Sequence, residues 1–337
     1  MSDALVSPSV GATFWAATGA VSAVAARRLE RDGDEGRVAL MGVLGAFVFA
    51  AQMVNFTIPG TGSSGHLGGG LLLTVLLGPW AAFLVMASVL TVQALFFADG
   101  GLLALGCNVF NMGFLVAFVA HPLVFRPLAG ASPSRTRLTV ASLAAALVGV
   151  VLGALGVVGE TLISGISSLP AATFLGLMVP IHVAIGIVEG LVTAAVLLAV
   201  ARARPELVRA APSRSGGARR RFLAGLAAVA AAVALFGSWF ASSRPDGLEW
   251  SLAHAGFSEG EPAGALHHAM QRLEGALAWM PGYAFRGAGP DAGEARAAWP
   301  APSAGSSVAG LAGSLAVLAT AVGVGLLVRV LRRRTAG

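Results

Sequence analysis

Apolar residues fall in eight long stretches, at about 9–26, 38–56, 79–97, 103–125, 138–158, 171–200, 222–241 and 308–328, separated by short polar segments. A helix needs roughly 20 apolar residues to cross a bilayer, so the pattern predicts a polytopic, all-α membrane bundle. Arginines collect in the connections: Arg27, Arg28, Arg31 and Arg37; then Arg126, Arg135 and Arg137; then Arg202, Arg204, Arg209, Arg214, Arg219, Arg220 and Arg221; and finally Arg329, Arg332, Arg333 and Arg334. Short cytoplasmic connections carry the positive charge. The first arginines follow the first apolar stretch, which predicts an N-terminus outside.

Eight crossings alone violate this rule. If 57–78 were only an external loop, Arg126, Arg135 and Arg137 would face outward. The conflict disappears if Leu67 to Gly78 is a short inward-running helix and Gly78-Pro79-Trp80 a tight cytoplasmic turn. Twelve residues at 1.5 Å each reach only ~18 Å, short of a ~30 Å core. Such a helix begins below the outer surface, with His66 recessed at its start. Nine crossings follow, seven before the arginine-rich segment and two after it, with the C-terminus inside. The segment 242–306 is different: Arg244, Asp246, Glu249, Glu259, Glu261, Glu274, Asp291 and Glu294 lie there among prolines and glycines. It reads as a small external domain or a partly ordered loop.

Composition narrows the class further. Of 337 residues 56% are hydrophobic and 11% charged, against about 25% charged in soluble domains. The net charge of +6 comes from a chain without lysine. Its placement marks topology, not a nucleic-acid surface. Asp3 stands where a secretory signal would have its basic region. The single cysteine, Cys107, excludes an internal disulfide framework and a CxxC metal site, and reads as a small packing residue. Gly149 and Gly153 form a small-xxx-small step that suits close helix packing. No GxxxxGK[ST] loop is present, so the chain supplies no ATP-driven work by itself.

The candidate chemistry centres on Pro59-Gly60-Thr61-Gly62-Ser63-Ser64-Gly65-His66-Leu67-Gly68-Gly69-Gly70. Irregular backbone at membrane depth is tolerated where it is buried in protein or lines a cavity. Its glycines let backbone approach a ligand closely. Asn108 and Asn111 are neighbours on one helix face, suited to interhelical hydrogen bonds or to pocket support. His182 and Glu189 share a face, suited to pairing within the bundle, the favoured reading, or to contact with a partner subunit. Glu160 is expected near the outer boundary and solvated. His267 and His268 read as an exposed pair, incidental rather than an early capture point for metal, and Met41, Met53, Met86, Met112 and Met178 as lipid or core residues. An intramembrane metalloenzyme built on His66, His182, Glu160 or Glu189 would lack an HExxH-type helix.

Three runs carry a resemblance: His66 through Gly78-Pro79-Trp80-Ala81-Ala82-Phe83-Leu84-Val85-Met86, then Asn108-Val109-Phe110-Asn111-Met112-Gly113, then His182-Val183-Ala184-Ile185-Gly186 with Glu189-Gly190. Together they resemble the CbiM/NikM family, the substrate-binding membrane components of cobalt and nickel energy-coupling-factor transporters, over roughly residues 3–200. Pro245-Asp246-Gly247-Leu248-Glu249 resembles the PDGLE signature of the companion small component. The resemblance implies a fusion: a metal-binding membrane domain at 1–205, an arginine-rich cytoplasmic linker at 206–221, and a small component at 222–337 that assists metal loading or loop ordering. It also implies Ni(II) or Co(II) as transported substrate and no permanently bound cofactor. The implied partners are a membrane coupling component, cytoplasmic ATPases and membrane lipid, and the implied location is a bacterial cytoplasmic membrane.

Family members typically begin Met-His and hold the metal by four nitrogens: the terminal amine, the backbone nitrogen and imidazole of that histidine, and the loop histidine. The last is His66 here. This chain starts Met1-Ser2-Asp3-Ala4-Leu5, whereas relatives often read Met-His-Met-x-Asp-Ala-Leu. The expectation is therefore that a Met-His pair precedes Met1. On the chain as it stands the expected ligands are the Met1 amine, the Ser2 backbone nitrogen and His66, with Ser64, Asn108 and Asn111 in support. Planar nitrogen sets suit Ni(II) and can hold Co(II). The amide must lose its proton, so binding strengthens with pH. The competing reading is a vitamin-binding component of the same transporter class. It would want a larger, aromatic-lined pocket, yet aromatics are 7% and Tyr283 is the sole tyrosine.

Overall fold

A computed structural model describes residues 1–32, 35–208, 216–257, 264–287 and 299–335. Helix α1 (Pro8–Asp32) is followed by α2 (Glu35–Gln52), the short α3 (Gly70–Leu77) and α4 (Pro79–Phe97). Next come α5 (Leu105–Ala129), α6 (Arg135–Ser164), α7 (Ala171–Ala203) and α8 (Gly216–Phe236). Two small helices, α9 (Gly247–His254) and α10 (Ala265–Leu277), precede α11 (Ala304–Thr335). Among the described residues, strand pairing is confined to an antiparallel ladder of Phe56–Thr57 with Ser64–Gly65. Seven helices (α1, α4, α5, α6, α7, α8 and α11) contain apolar spans long enough to cross a membrane. With the apolar part of α2, Arg37–Gln52, and α3, the described residues hold the nine apolar helices expected of this all-α bundle.

The short inward helix exists, but it is shorter than the sequence suggests. It begins at Gly70, not Leu67, because Gly69 is left-handed at φ 73° and interrupts the winding. Eight residues reach only about 12 Å. His66 therefore sits in the connection before the helix, not at its first turn. Gly78, at φ 80°, donates its N–H to Thr74 O and turns the chain directly into Pro79 at the first position of α4. Proline fits there because its missing N–H has no helical partner anyway.

Contacts sort the connections into two ends. The Arg28 guanidinium lies 5.8 Å over the Trp80 ring, beside the α3–α4 turn. Arg137 donates to Leu128 O, and Arg204 lies over Phe222. At the other end Gly101 N–H donates to Met1 O, Ser242 N–H to Asn55 O, and Met280 N–H to Phe96 O. The arginine connections and the Gly78 turn thus share one end, as helix parity requires.

The core centres on α2, α3 and α4, where Phe49, Phe83, Phe97, Leu71, Leu73 and Met86 are fully buried. Helix α11 packs on α2 through small residues: a Cβ at Gly313 would come within 2.1 Å of the Phe49 ring, and one at Gly42 within 2.6 Å of Val322. Close approach of this kind is how membrane helices gain packing energy. The C-terminal helices are thereby part of the same bundle. In the segment 242–306, α9 and α10 form ordered helices, whereas Glu259, Glu261, Asp291 and Glu294 lie outside the described residues, as do Arg209 and Arg214 of the linker.

Candidate metal centre

The loop carrying His66 is held from three directions. Its outer part is tied to the PDGLE turn: Ser64 donates from its N–H to Pro245 O (2.8 Å) and from its hydroxyl to Arg244 O (2.8 Å). Gly65 lies against Ile185, where a Cβ would come within 2.5 Å of the side chain. Its inner part is clamped by Glu189 of α7, which accepts from Gly68 N–H (2.8 Å) and Gly69 N–H (3.0 Å). From α2, Gln52 donates to Gly68 O (2.9 Å) and accepts from Gln93 of α4 (2.9 Å). Backbone groups that a loop would leave unpaired at membrane depth are satisfied by side chains.

The N-terminal segment enters the same place. The Met1 amine donates to Asn108 Oδ1 (2.9 Å), and Asn108 Nδ2 donates back to Met1 O (3.1 Å). Asp3 Oδ1 accepts from Ala104 N–H (2.9 Å). Burial pushes the Asp3 carboxyl up, against the opposing pull of this amide.

Between loop and N-terminus lies a cavity of about 170 Å³ lined by Met1, His66, Asn108, Asn111, Met112, Met178, His182, Glu189 and Asp246, among others. His66 Nδ1 lies 3.2 Å from Leu67 O. As the donor there, it leaves a lone pair on Nε2. Among the described residues no three His, Cys, Asp or Glu side chains stand close enough to hold an ion together. A metal in this cavity needs donors beyond those side chains, and the Met1 amine is one at its wall.

The structure thus brings Met1, His66, Asn108 and Asn111 to one cavity. Ser64 does not line it; its polar atoms turn to the PDGLE backbone. Ser2 does not line it either, and its carbonyl accepts from Leu5 N–H. Several other expectations are corrected. His182 and Glu189 do not pair: His182 Nδ1 lies 2.8 Å from Met178 O, and Glu189 serves the loop amides. Glu160 is not solvated but 3% exposed, accepting from Asn111 Nδ2 (2.8 Å). His267 is buried, its Nε2 2.9 Å from Val6 O, while His268 is exposed. Cys107 packs in an apolar cluster, as expected. Glu189, Gln52 and Asp246 were not foreseen as parts of the site. The signals for Glu189 were its place in the run resembling the family and a carboxylate in the middle of an apolar stretch, which is costly unless it has a task.

Residues 1–207 match the family described as CbiM, cobalt uptake substrate-specific transmembrane region. The chain belongs to this family. Residues 220–330 match the PDGLE domain. A protein of Archaeoglobus fulgidus provisionally named as a fused nickel transport protein, NikMN, is 33% identical over 83% of each chain. The fused nickel transport protein NikMN of Rhodobacter capsulatus is 33% identical over 69% of this chain and 70% of its own. A crystal structure of a transition metal transporter superposes with a TM-score of 0.53 at 29% identity, covering 60% of this chain and 92% of that one.

In this CbiM–PDGLE chain, α10 docks near the cavity's N-terminal wall. His267 meets Val6 O, the Tyr283 hydroxyl donates to Asp99, and the Tyr283 ring stacks on Phe97 with centroids 4.8 Å apart. Burial, together with the charges of Asp3 and Asp99, pushes the Glu274 carboxyl up to about 7. A group raised in the docked state stabilises docking fully below its free value, 4.5, and loses that contribution as pH rises through about 7. We expect amide protection of α10, corrected for intrinsic exchange, to fall between those pH values. Glu274→Gln should flatten the profile. An unchanged profile in that variant would remove Glu274 as the cause.

Proposed function

We propose that this chain is the substrate-binding membrane component of an energy-coupling-factor transporter, capturing Ni(II) or Co(II) in the cavity between His66 and the N-terminus. The observation that carries this reading is the seating of the Met1 amine and His66 in one cavity, with Asn108 gripping Met1 at two points. The nitrogen donors are the Met1 amine and His66, joined by the Ser2 backbone nitrogen once Ser2 turns into the cavity. Asn108 and Asn111 orient them. Nitrogen donors in this number suit Ni(II) and can hold Co(II).

The ion arrives from the side bearing the N-terminus, which is the outside of a bacterial cytoplasmic membrane, and the arginine connections face the cytoplasm. A separate membrane coupling component and cytoplasmic ATPases drive its release inside. Residues 222–337 act as a built-in small component. Their PDGLE turn receives Ser64 and contributes Asp246 to the cavity wall, which supports a part in ordering the loop for loading. The transport names of the relatives support a transporter subunit over an enzyme. Cavity size speaks against the vitamin reading: about 170 Å³ is below the roughly 300–1,000 Å³ of pockets for drug-sized molecules.

The test is a calorimetric titration with Ni(II) and Co(II). It uses the chain starting at Met1, the same chain with Met-His added in front, and His66→Ala in each. Tight one-to-one binding by either parent, lost in its His66→Ala variant, is the expected result. No binding by both parents, or binding that survives His66→Ala, would overturn the reading.

A further inference from the structure

Glu189 lines the cavity and Glu160 is bonded to Asn111 of its wall, and the hydrogen bonding of the two carboxyl groups differs in kind. Glu189 accepts an amide N–H on each oxygen, which is the pattern of an ionised carboxylate. Glu160 Oε2 accepts from Asn111 Nδ2, and its Oε1 is buried with no well-aligned hydrogen bond, the Cys107 thiol being the one other donor in reach of the carboxyl. The carboxamide oxygen of Asn111 is likewise buried and unpartnered. Both orphaned atoms are acceptors, and they belong to two groups already joined by one hydrogen bond. Gly156 explains how they are sealed in: a Cβ there would stand 2.1 Å from Asn111 Oδ1, so only glycine lets α6 close over it.

Leaving two acceptors unpaired in an apolar interior is expensive. One proton removes both deficits. A carboxylic acid is a donor as well as an acceptor, so Oε1–H can donate to Asn111 Oδ1 while Oε2 keeps its bond from Nδ2. We propose that Glu160 carries a proton in the metal-free protein, closing this ring with Asn111, and releases it when a divalent cation fills the cavity. On release the O–H bond breaks, its electron pair stays on Oε1, and the proton passes to solvent.

Charge drives that step. Glu160 lies within electrostatic reach of the Met1 amine, and the other titratable group facing it is Cys107 of α5. A bound divalent ion replaces the ammonium proton of Met1, and as long as the Ser2 amide keeps its own proton the site then holds two positive charges on that side of Glu160 where the amine held one. Ion and proton therefore oppose each other, and by linkage the opposition is reciprocal. The release step rests on the metal-capture reading above; the resting protonation does not.

Infrared spectroscopy of the full chain in detergent tests both parts. Glu160→Gln is the matched variant, because its amide can form the same ring with Asn111 and so preserves the fold. In the metal-free state, the wild type should show a protonated carboxyl carbonyl stretch that Glu160→Gln lacks. Asn111→Leu should move that band to higher frequency by removing its partner. On adding Ni(II), the band should be lost in the wild type, and calorimetry in buffers of different ionisation enthalpy should count one proton fewer released by Glu160→Gln. No band difference in the metal-free state would overturn the inference while leaving metal capture standing. A band unmoved by demonstrably bound Ni(II) would overturn the release step. Absence of Ni(II) binding altogether would overturn the functional reading and the release step, leaving the resting ring supported by its band.

Discussion

Glu189→Ala should weaken Ni(II) binding by about ten- to a hundredfold, the range seen when outer partners of metal ligands are removed. It should also lower the melting temperature. Glu189 is 3% exposed and accepts two amide N–H groups from the loop that carries His66. Truncation leaves the buried Gly69 N–H unpaired, at about 1–3 kcal/mol, and frees the part-buried Gly68 N–H at the cavity wall. The loop can recover those bonds only by moving, and His66 moves with it. Glu189→Gln is the informative companion. Its oxygen keeps one bond, but its NH₂ faces the second N–H, so a loss between those of wild type and alanine is expected. Calorimetric titration and thermal unfolding check both. Wild-type affinity in Glu189→Ala would show that Gln52 and the PDGLE turn hold the loop unaided.

What sequence reasoning could and could not see follows from where each partner lies. The short α3 was legible because arginine placement is a global constraint: Arg126, Arg135 and Arg137 cannot share an end with Arg28 unless one more crossing lies between them. The fold now puts Arg28 over Trp80. The His66 loop was legible from glycine density in an otherwise apolar chain. The start of α3 was misplaced by three residues, since what ends the loop is a left-handed Gly69 fixed by Glu189, a side chain far along the sequence. Glu160 was misjudged for the same reason. Its position near the end of an apolar stretch suggested solvent, but the approach of α6 to Asn111 at Gly156 buries it. His267 was misjudged because its partner is the backbone of Val6, at the opposite end of the chain. Local pattern reports which residues are unusual; the tertiary packing decides what each one serves.

Gly101→Ala should abolish tight Ni(II) binding while leaving the bundle folded. A Cβ at Gly101 would stand 1.8 Å from Asp3 Oδ1 and 2.4 Å from the Asp3 backbone nitrogen. The side-chain contact could be relieved by a rotamer change; the backbone contact cannot. The N-terminal segment must therefore lift. Met1 O accepts from Gly101 N–H itself and from Asn108, so lifting removes the Met1 amine from the cavity wall opposite His66. Overpacking of this kind costs about 1–3 kcal/mol, confined here to the terminus and its rim contacts, so the melting temperature should fall only modestly. Gly159→Ala is the control. It lies in α6 with nothing within 4 Å of its would-be Cβ, and alanine gains roughly 1 kcal/mol over glycine inside a helix. That variant should bind Ni(II) like wild type and melt slightly higher. Full affinity in Gly101→Ala would mean that the ion is held without the terminal amine, which would overturn the part of the reading that gives Met1 to the donor set.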